Sequence, residues 1–177
     1  MEKWKTDRSE MLLDTEWVKV CKDSVLLPNG QKIDDFYMVT IRDAAAIVAL
    51  DEAGNLILKN EYRYCYAHSL IEGPAGTFEA DGLAVAKREL LEETGYVSDE
   101  WQYLGATVES SAKLTNYMHI YFANHCRKVS GQHLDATEEL DVLVVPLKQA
   151  VDMVMNNKIC CNSSAHGILK VARLLGV

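Results

Sequence analysis

Residues 88–96 read Arg-Glu-Leu-Leu-Glu-Glu-Thr-Gly-Tyr, which puts three carboxylates on the last turns of a helix. Side chains three and four apart share a helix face, so Glu89 stands beside both Glu92 and Glu93. Like charges at that spacing repel by about 0.2–0.5 kcal/mol per pair. Gly95 has the character of the C′ residue that ends a helix. The carboxylates then lie near the negative end of the helix dipole as well. Folding gains nothing from this arrangement. A solvated acidic helix end is the plain reading, and a bound divalent cation is the sharper one, because hard cations such as Mg²⁺ choose carboxylate oxygens. Arg88 stands four residues before Glu92 and can hold that carboxylate in place. A Gly73-Pro74-Ala75-Gly76 turn precedes the stretch, so the acidic face lies beside a tight loop with free backbone carbonyls.

The length of 177 residues suits one domain with a full hydrophobic core. A formal net charge of -8 argues against nucleic acid as the main partner, since duplex binding is driven by Lys and Arg on phosphates. A small phosphorylated ligand held by metal ions and a few arginines stays open. No apolar run is long enough to span a membrane, and the charged N-terminus carries no apolar signal core. A soluble, cytoplasmic protein is expected. The five cysteines match no zinc or redox spacing and read as free thiols.

Residues 11–27 and 32–42 read as strands around a Pro28-Asn29-Gly30 turn. Further strands are expected over 44–50, 55–62, 69–72, 101–109, 116–125 and 139–145. A helix over 82–94 takes Asp81 as its N-cap and buries Leu83, Ala86, Leu90 and Thr94. Pro146 opens a second helix at its first turn, and a last helix covers about 163–175. The pattern is α/β: a mixed β-sheet in an α/β/α sandwich, with an N-terminal antiparallel hairpin over 1–42 and the main domain over 43–177.

Arg-Glu-Leu-x-Glu-Glu-x-Gly-Tyr resembles the second half of the Nudix box, G-x5-E-x7-R-E-U-x-E-E-x-G-U with U apolar. Glu61-Tyr62-Arg63 is similar to the Gln-Tyr-Arg of the ADP-ribose and nucleotide-sugar pyrophosphatase branch. Leu70 to Gly76 is similar to that branch's Leu-Leu-Glu-Leu-Pro-Ala-Gly, and 138–147 and 159–175 resemble its acidic loop and closing helix. The match has departures. From Gly76 to Arg88 the spacing is two residues short, and the first Glu of the box falls on Ala80, flanked by Glu79 and Asp81. The Pro that the ADP-ribose branch places sixteen residues after the box is Ala112 here.

The resemblance implies hydrolysis of a nucleoside diphosphate derivative to a nucleoside monophosphate and a sugar phosphate, dependent on Mg²⁺ or Mn²⁺. By it, Glu89, Glu92, Glu93 and the carbonyl of Ala75 are the expected metal ligands. Arg88 orients a carboxylate, and Glu138 is the expected general base, with Glu139 as the alternative. Arg63 is expected to reach the diphosphate, and Glu72 to bind a ligand group or cap a turn. Trp17 and Phe36 fall where relatives stack a base across a homodimer interface, and a homodimer through 11–42 is expected. Two other readings stay open: a Nudix-fold nucleotide-binding domain without turnover, and a nucleoside triphosphate pyrophosphohydrolase. His119 reads as a structural histidine, and His68 shows no partner.

Overall fold

The computed structural model describes all residues 1–177, which form two compact units: 1–42 with 108–117, and 43–107 with 118–177. The first unit is built on three antiparallel strands, β1 (Lys5–Asp14), β2 (Lys19–Leu26) and β3 (Lys32–Thr40), in the order β1-β2-β3. The single strand expected over 11–27 is thus two strands with a turn. The Thr15 hydroxyl accepts the Val18 N–H at 2.9 Å, and the Thr15 N–H donates to the Val18 carbonyl at 3.1 Å. A side-chain turn of this kind breaks a strand where apolar pattern alone reads through it. Gly30, at φ 82, supplies the left-handed residue of the β2–β3 turn. Val39 ties the second segment of this unit to β3, accepting from Thr115 N–H at 3.2 Å and donating to the Lys113 carbonyl at 2.8 Å.

The second unit runs β4 (Asp43–Asp51), β5 (Asn55–Arg63), β6 (His68–Glu72), β7 (Ala75–Phe78), α1 (Gly82–Thr94), β8 (Tyr96–Val97), β9 (Glu100–Val108), β10 (Tyr117–Lys128), β11 (Leu140–Pro146), α2 (Leu147–Met155) and α3 (Asn162–Leu175). The sheet follows β11-β5-β4-β10-β8, with β6 on β5, β7 on β4 and β9 on β10. β4 and β10 pair in parallel, while β5 pairs antiparallel with β4, β6 and β11. This is the expected mixed sheet.

Strand alternation divides the apolar residues between two faces. Val48, Leu50, Leu56, Leu58, Ile120 and Phe122 pack with Leu147, Ala150 and Met153 of α2 and Ile168 and Val171 of α3. Ala45, Ile47, Ala49, Ile57, Tyr121 and Ala123 pack with Ala86 and Leu90 of α1. Truncating Leu90, fully buried in that second layer, to alanine would cost about 2–5 kcal/mol. No helix is long and apolar enough to cross a membrane.

Two local expectations change. The segment at Ala75 is strand rather than turn, because β4 offers it a ladder: Asp43 faces Phe78 and Ala46 faces Ala75. Pro146 is the N-cap of α2, with φ -53 and ψ 139, rather than its first helical residue.

Candidate active site

Helix α1 has the ends its sequence asks for. Asp81 caps it by accepting the Ala84 N–H at 3.0 Å, and Gly95, at φ 77, closes it with an N–H to the Leu91 carbonyl at 2.8 Å. Ala86, Leu90 and Thr94 face the sheet. Glu93, next to Thr94, is carried to the buried edge of the helix, while Glu89 and Glu92 are partly buried.

Strand β5 determines what Glu93 meets. Leu56 and Leu58 face α2 and α3, so Ile57 and the residues two, four and six beyond it (Lys59, Glu61, Arg63) share the α1 side. A lysine therefore arrives under the last turn of α1. Its Nζ forms an ion pair with Glu93 Oε1 and lies 2.9 Å from Glu61 Oε2. The other oxygen of Glu93 accepts the Ala75 N–H at 3.2 Å. Arg63 continues the chain of charges, with Nη1 2.9 Å from Glu61 Oε1 and Nε donating to Glu72 Oε2 at 3.0 Å.

Burial disfavours the Lys59 ammonium, but Glu93 and Glu61 outweigh it and hold the lysine above its usual range. Burial also pushes Glu93 up to about 7, against the pull of Lys59. Glu89 is raised by burial, with Arg88 opposing and the charges of Glu92 and Glu138 adding to the rise. Arg88 donates to Glu89 Oε1 at 2.7 Å and stands 3.8 Å from Glu92 Oε2. It thus reaches the Glu92 expected from helical spacing and, more closely, Glu89. A Cβ added at Gly76 would collide with the Glu89 carboxylate, so Glu89 lies flat on the backbone of β7. The Gly73 N–H donates to Ser164 Oγ of α3 at 3.0 Å, and a Cβ there would strike the Ile47 carbonyl. The Gly-Pro-Ala-Gly segment is fixed at both ends.

The second unit brings together Arg63, Glu72, Ala75, Arg88, Glu89, Glu92, Glu93 and Glu138. Glu138 is partly buried and accepts the Asp135 N–H at 3.0 Å, whereas Glu139 is exposed. Glu72 is the partner of Arg63. Trp17 and Phe36 belong to the first unit. The Arg42 guanidinium lies 5.1 Å from the Trp17 ring, and Phe36 carries the Lys113 ammonium at 4.7 Å with Trp4 edge-on at 6.0 Å. His119 contacts Asp43 at 3.2 Å and Tyr103 at 3.0 Å, as a structural histidine does. His68 has a partner after all, the Tyr66 carbonyl at 2.8 Å from Nδ1. Lys59 is the charge that sequence reading passed over. Its signal is a single lysine closing Leu56-Ile57-Leu58, in register with the inward Ile57.

The carboxylates at the end of α1 offer hard oxygens, the donors that Mg²⁺ and Mn²⁺ prefer. That donor chemistry fits a divalent ion. No three acidic or imidazole groups are gathered around one point; Lys59 is paired with Glu93 and Arg88 with Glu89.

A mixed sheet between helices, with an Arg-Glu-x-x-Glu-Glu helix end laid on a Pro-Ala-Gly strand, defines a hydrolase of the Nudix type. The chain belongs to the Nudix family, matching the NUDIX domain over residues 40–159. Residues 4–39 match the nucleoside diphosphate sugar hydrolase N-terminal domain. It is 30% identical to a methanol dehydrogenase activator of Bacillus methanolicus over 88% of this chain and 85% of that protein. It is 30% identical to an ADP-ribose pyrophosphatase of Mycobacterium tuberculosis over 85% of this chain and 74% of that one. A crystal structure of an ADP compounds hydrolase superposes with a TM-score of 0.85 at 19% identity, over 99% of this chain and 96% of that one, and shows the same fold. Nudix hydrolases generally use divalent metal ions and act on small nucleotide substrates.

Proposed function

We propose that this Nudix hydrolase cleaves the diphosphate bond of a nucleoside diphosphate derivative, ADP-ribose or another nucleotide sugar, with Mg²⁺ or Mn²⁺. The products are a nucleoside monophosphate and a sugar phosphate. The observation that carries the reading is the seat of Glu89 on the Gly76 backbone, one turn from the buried Glu93. Burial of two carboxylates on one helix end is costly for a structural feature and useful for a cation site.

Glu89, Glu92, Glu93 and the Ala75 carbonyl would hold the ion. When bound, it neutralises diphosphate oxygens and lowers the pKa of water. Arg88 keeps Glu89 and Glu92 oriented. Arg63, its side chain about a third exposed (36%), offers its guanidinium to the diphosphate while Glu72 and Glu61 fix its angle. Glu138 positions or deprotonates the attacking water. Trp17 and Phe36 stack the base in a homodimer formed through the N-terminal sheet. In support, all ten residues of β1 are exposed, with Met11, Leu12 and Leu13 each close to half accessible. The relative named as an ADP-ribose pyrophosphatase supports ADP-ribose. Ala112, where that branch keeps a proline, leaves other sugar nucleotides in contention. Five unbridged cysteines support a reducing, cytoplasmic setting.

The test is incubation with Mg²⁺ and ADP-ribose, sugar nucleotides, dinucleotides and nucleoside triphosphates, with products identified by chromatography. Nucleoside monophosphate plus sugar phosphate is expected. Turnover confined to triphosphates would reject the reading.

A further inference from the structure

A buried carboxylate needs a positive partner, and Glu93 already has one inside its own chain. The Lys59 and Glu93 side chains are 2% and 3% exposed, so water compensates neither. An ammonium and a divalent ion cannot share one carboxylate at contact distance in so dry a place, because their mutual repulsion is scarcely screened there. A cation that reaches Glu93 must therefore move Lys59.

The structure provides somewhere for it to go. Glu61 Oε2 lies 2.9 Å from Nζ, at ion-pair distance. That oxygen is buried, and its contact is with the Lys59 ammonium itself. Its sister oxygen is held by Arg63 at 2.9 Å, so the acceptor stays fixed while the ammonium turns toward it. The end of a four-carbon stem makes that swing without moving β5.

We propose that Lys59 is a tethered counter-ion, bridging Glu93 and Glu61 in the cation-free protein and keeping Glu61 alone when a divalent cation takes Glu93. The inference rests on the cation role proposed above for Glu93. Lys59 acts here as a positioning residue. It keeps the acidic helix end folded without metal, and it sets how tightly metal binds by competing for the same oxygens. The geometry gives two opposite expectations: removing the ammonium should tighten cation binding, and removing its alternative partner should weaken it.

The experiment is Mn²⁺ titration of the full chain, free Mn²⁺ being read by electron paramagnetic resonance, with cation-free melting temperatures alongside. Wild type, Lys59→Met, Lys59→Arg and Glu61→Gln are compared. Lys59→Met is expected to bind Mn²⁺ about tenfold or more tightly than wild type, and to melt lower without metal. Lys59→Arg keeps the charge and stays near wild type. Glu61→Gln binds several-fold more weakly. A lysine with only a structural role would leave Lys59→Met weaker or unchanged, and that result overturns the proposal. So does unchanged or tighter binding in Glu61→Gln. If Lys59→Met folds only when Mn²⁺ is present, the proposal is supported; if it folds under neither condition, Glu61→Gln and Lys59→Arg decide. Absence of Mn²⁺ binding in every variant removes this proposal together with the metal reading, whereas binding in wild type with no gain in Lys59→Met removes this proposal alone.

Discussion

Glu93 at the end of α1 and Lys59 in the middle of β5 form an ion pair closed off from water, with side chains 3% and 2% exposed. The pair explains how the fold tolerates acids where the helix dipole opposes them. It also makes the last turn of α1 and the centre of the sheet depend on each other.

Glu93→Gln leaves Lys59 with Glu61 as its one acidic contact. Removing one partner of a buried pair costs about 3–5 kcal/mol, and the remaining contact places this variant near the lower figure. Denaturant unfolding measures it. Lys59→Met combined with the same Glu93→Gln removes both charges and is expected to recover most of the loss, a coupling that a double-mutant cycle with the two single variants reads directly. Additive losses would show that the pair is not a unit. The single variant should also lose turnover.

Gly76→Ala places a Cβ against the end of the Glu89 side chain, a flexible group that can swing away. Stability should change by less than about 1 kcal/mol. Turnover should fall about tenfold or more, because Glu89 can no longer lie on β7. Thermal melting and steady-state kinetics separate the two effects, and equal turnover in wild type and variant would show that the seat of Glu89 is unimportant.

Cys126 is 1% exposed, and burial pushes its thiol up to about 12, with the charge of Asp51 adding to the rise. The unfolded thiol titrates near the ordinary cysteine value of 9. The folded pKa is the higher one, so this contribution to stability is complete below pH 9 and is lost as pH rises through 12. Urea unfolding across that window should show a steeper loss in wild type than in Cys126→Ala. At neutral pH, iodoacetamide should label the exposed Cys65 and Cys160 and leave Cys126 unmodified, as peptide mass spectrometry will show.

Light scattering at micromolar concentration should give twice the monomer mass. Met11→Lys with Leu13→Lys, on the exposed β1, should return a monomer with its helices intact by circular dichroism. A monomeric wild type would contradict the proposed interface.

Much of this was readable in the chain. Asp81 and Gly95 bracket α1 because cap chemistry is local, and Ala86, Leu90 and Thr94 follow from helical period. The strand at Ala75–Phe78 was not readable, since Gly-Pro-Ala-Gly looks like a turn until β4 supplies its ladder. Arg88 was assigned to Glu92 by spacing along the helix, but the seat of Glu89 on Gly76 brings that carboxylate closer. The Lys59 pairing needed the third dimension: alternation puts Lys59 on the α1 side, but only the packing of β5 under α1 reveals that Glu93 waits there.

Glu89→Gln is the decisive variant for the proposed chemistry, because this side chain is partly exposed (13%) and its loss strands no fully buried charge. The measurement is turnover of the best nucleotide-sugar substrate under saturating Mg²⁺, with melting temperature as the control for folding. A fall of about a hundredfold or more at unchanged melting temperature is predicted, as for removal of a group that stabilises transition-state charge. Wild-type turnover in the folded variant would mean that the acidic end of α1 does not carry the chemistry.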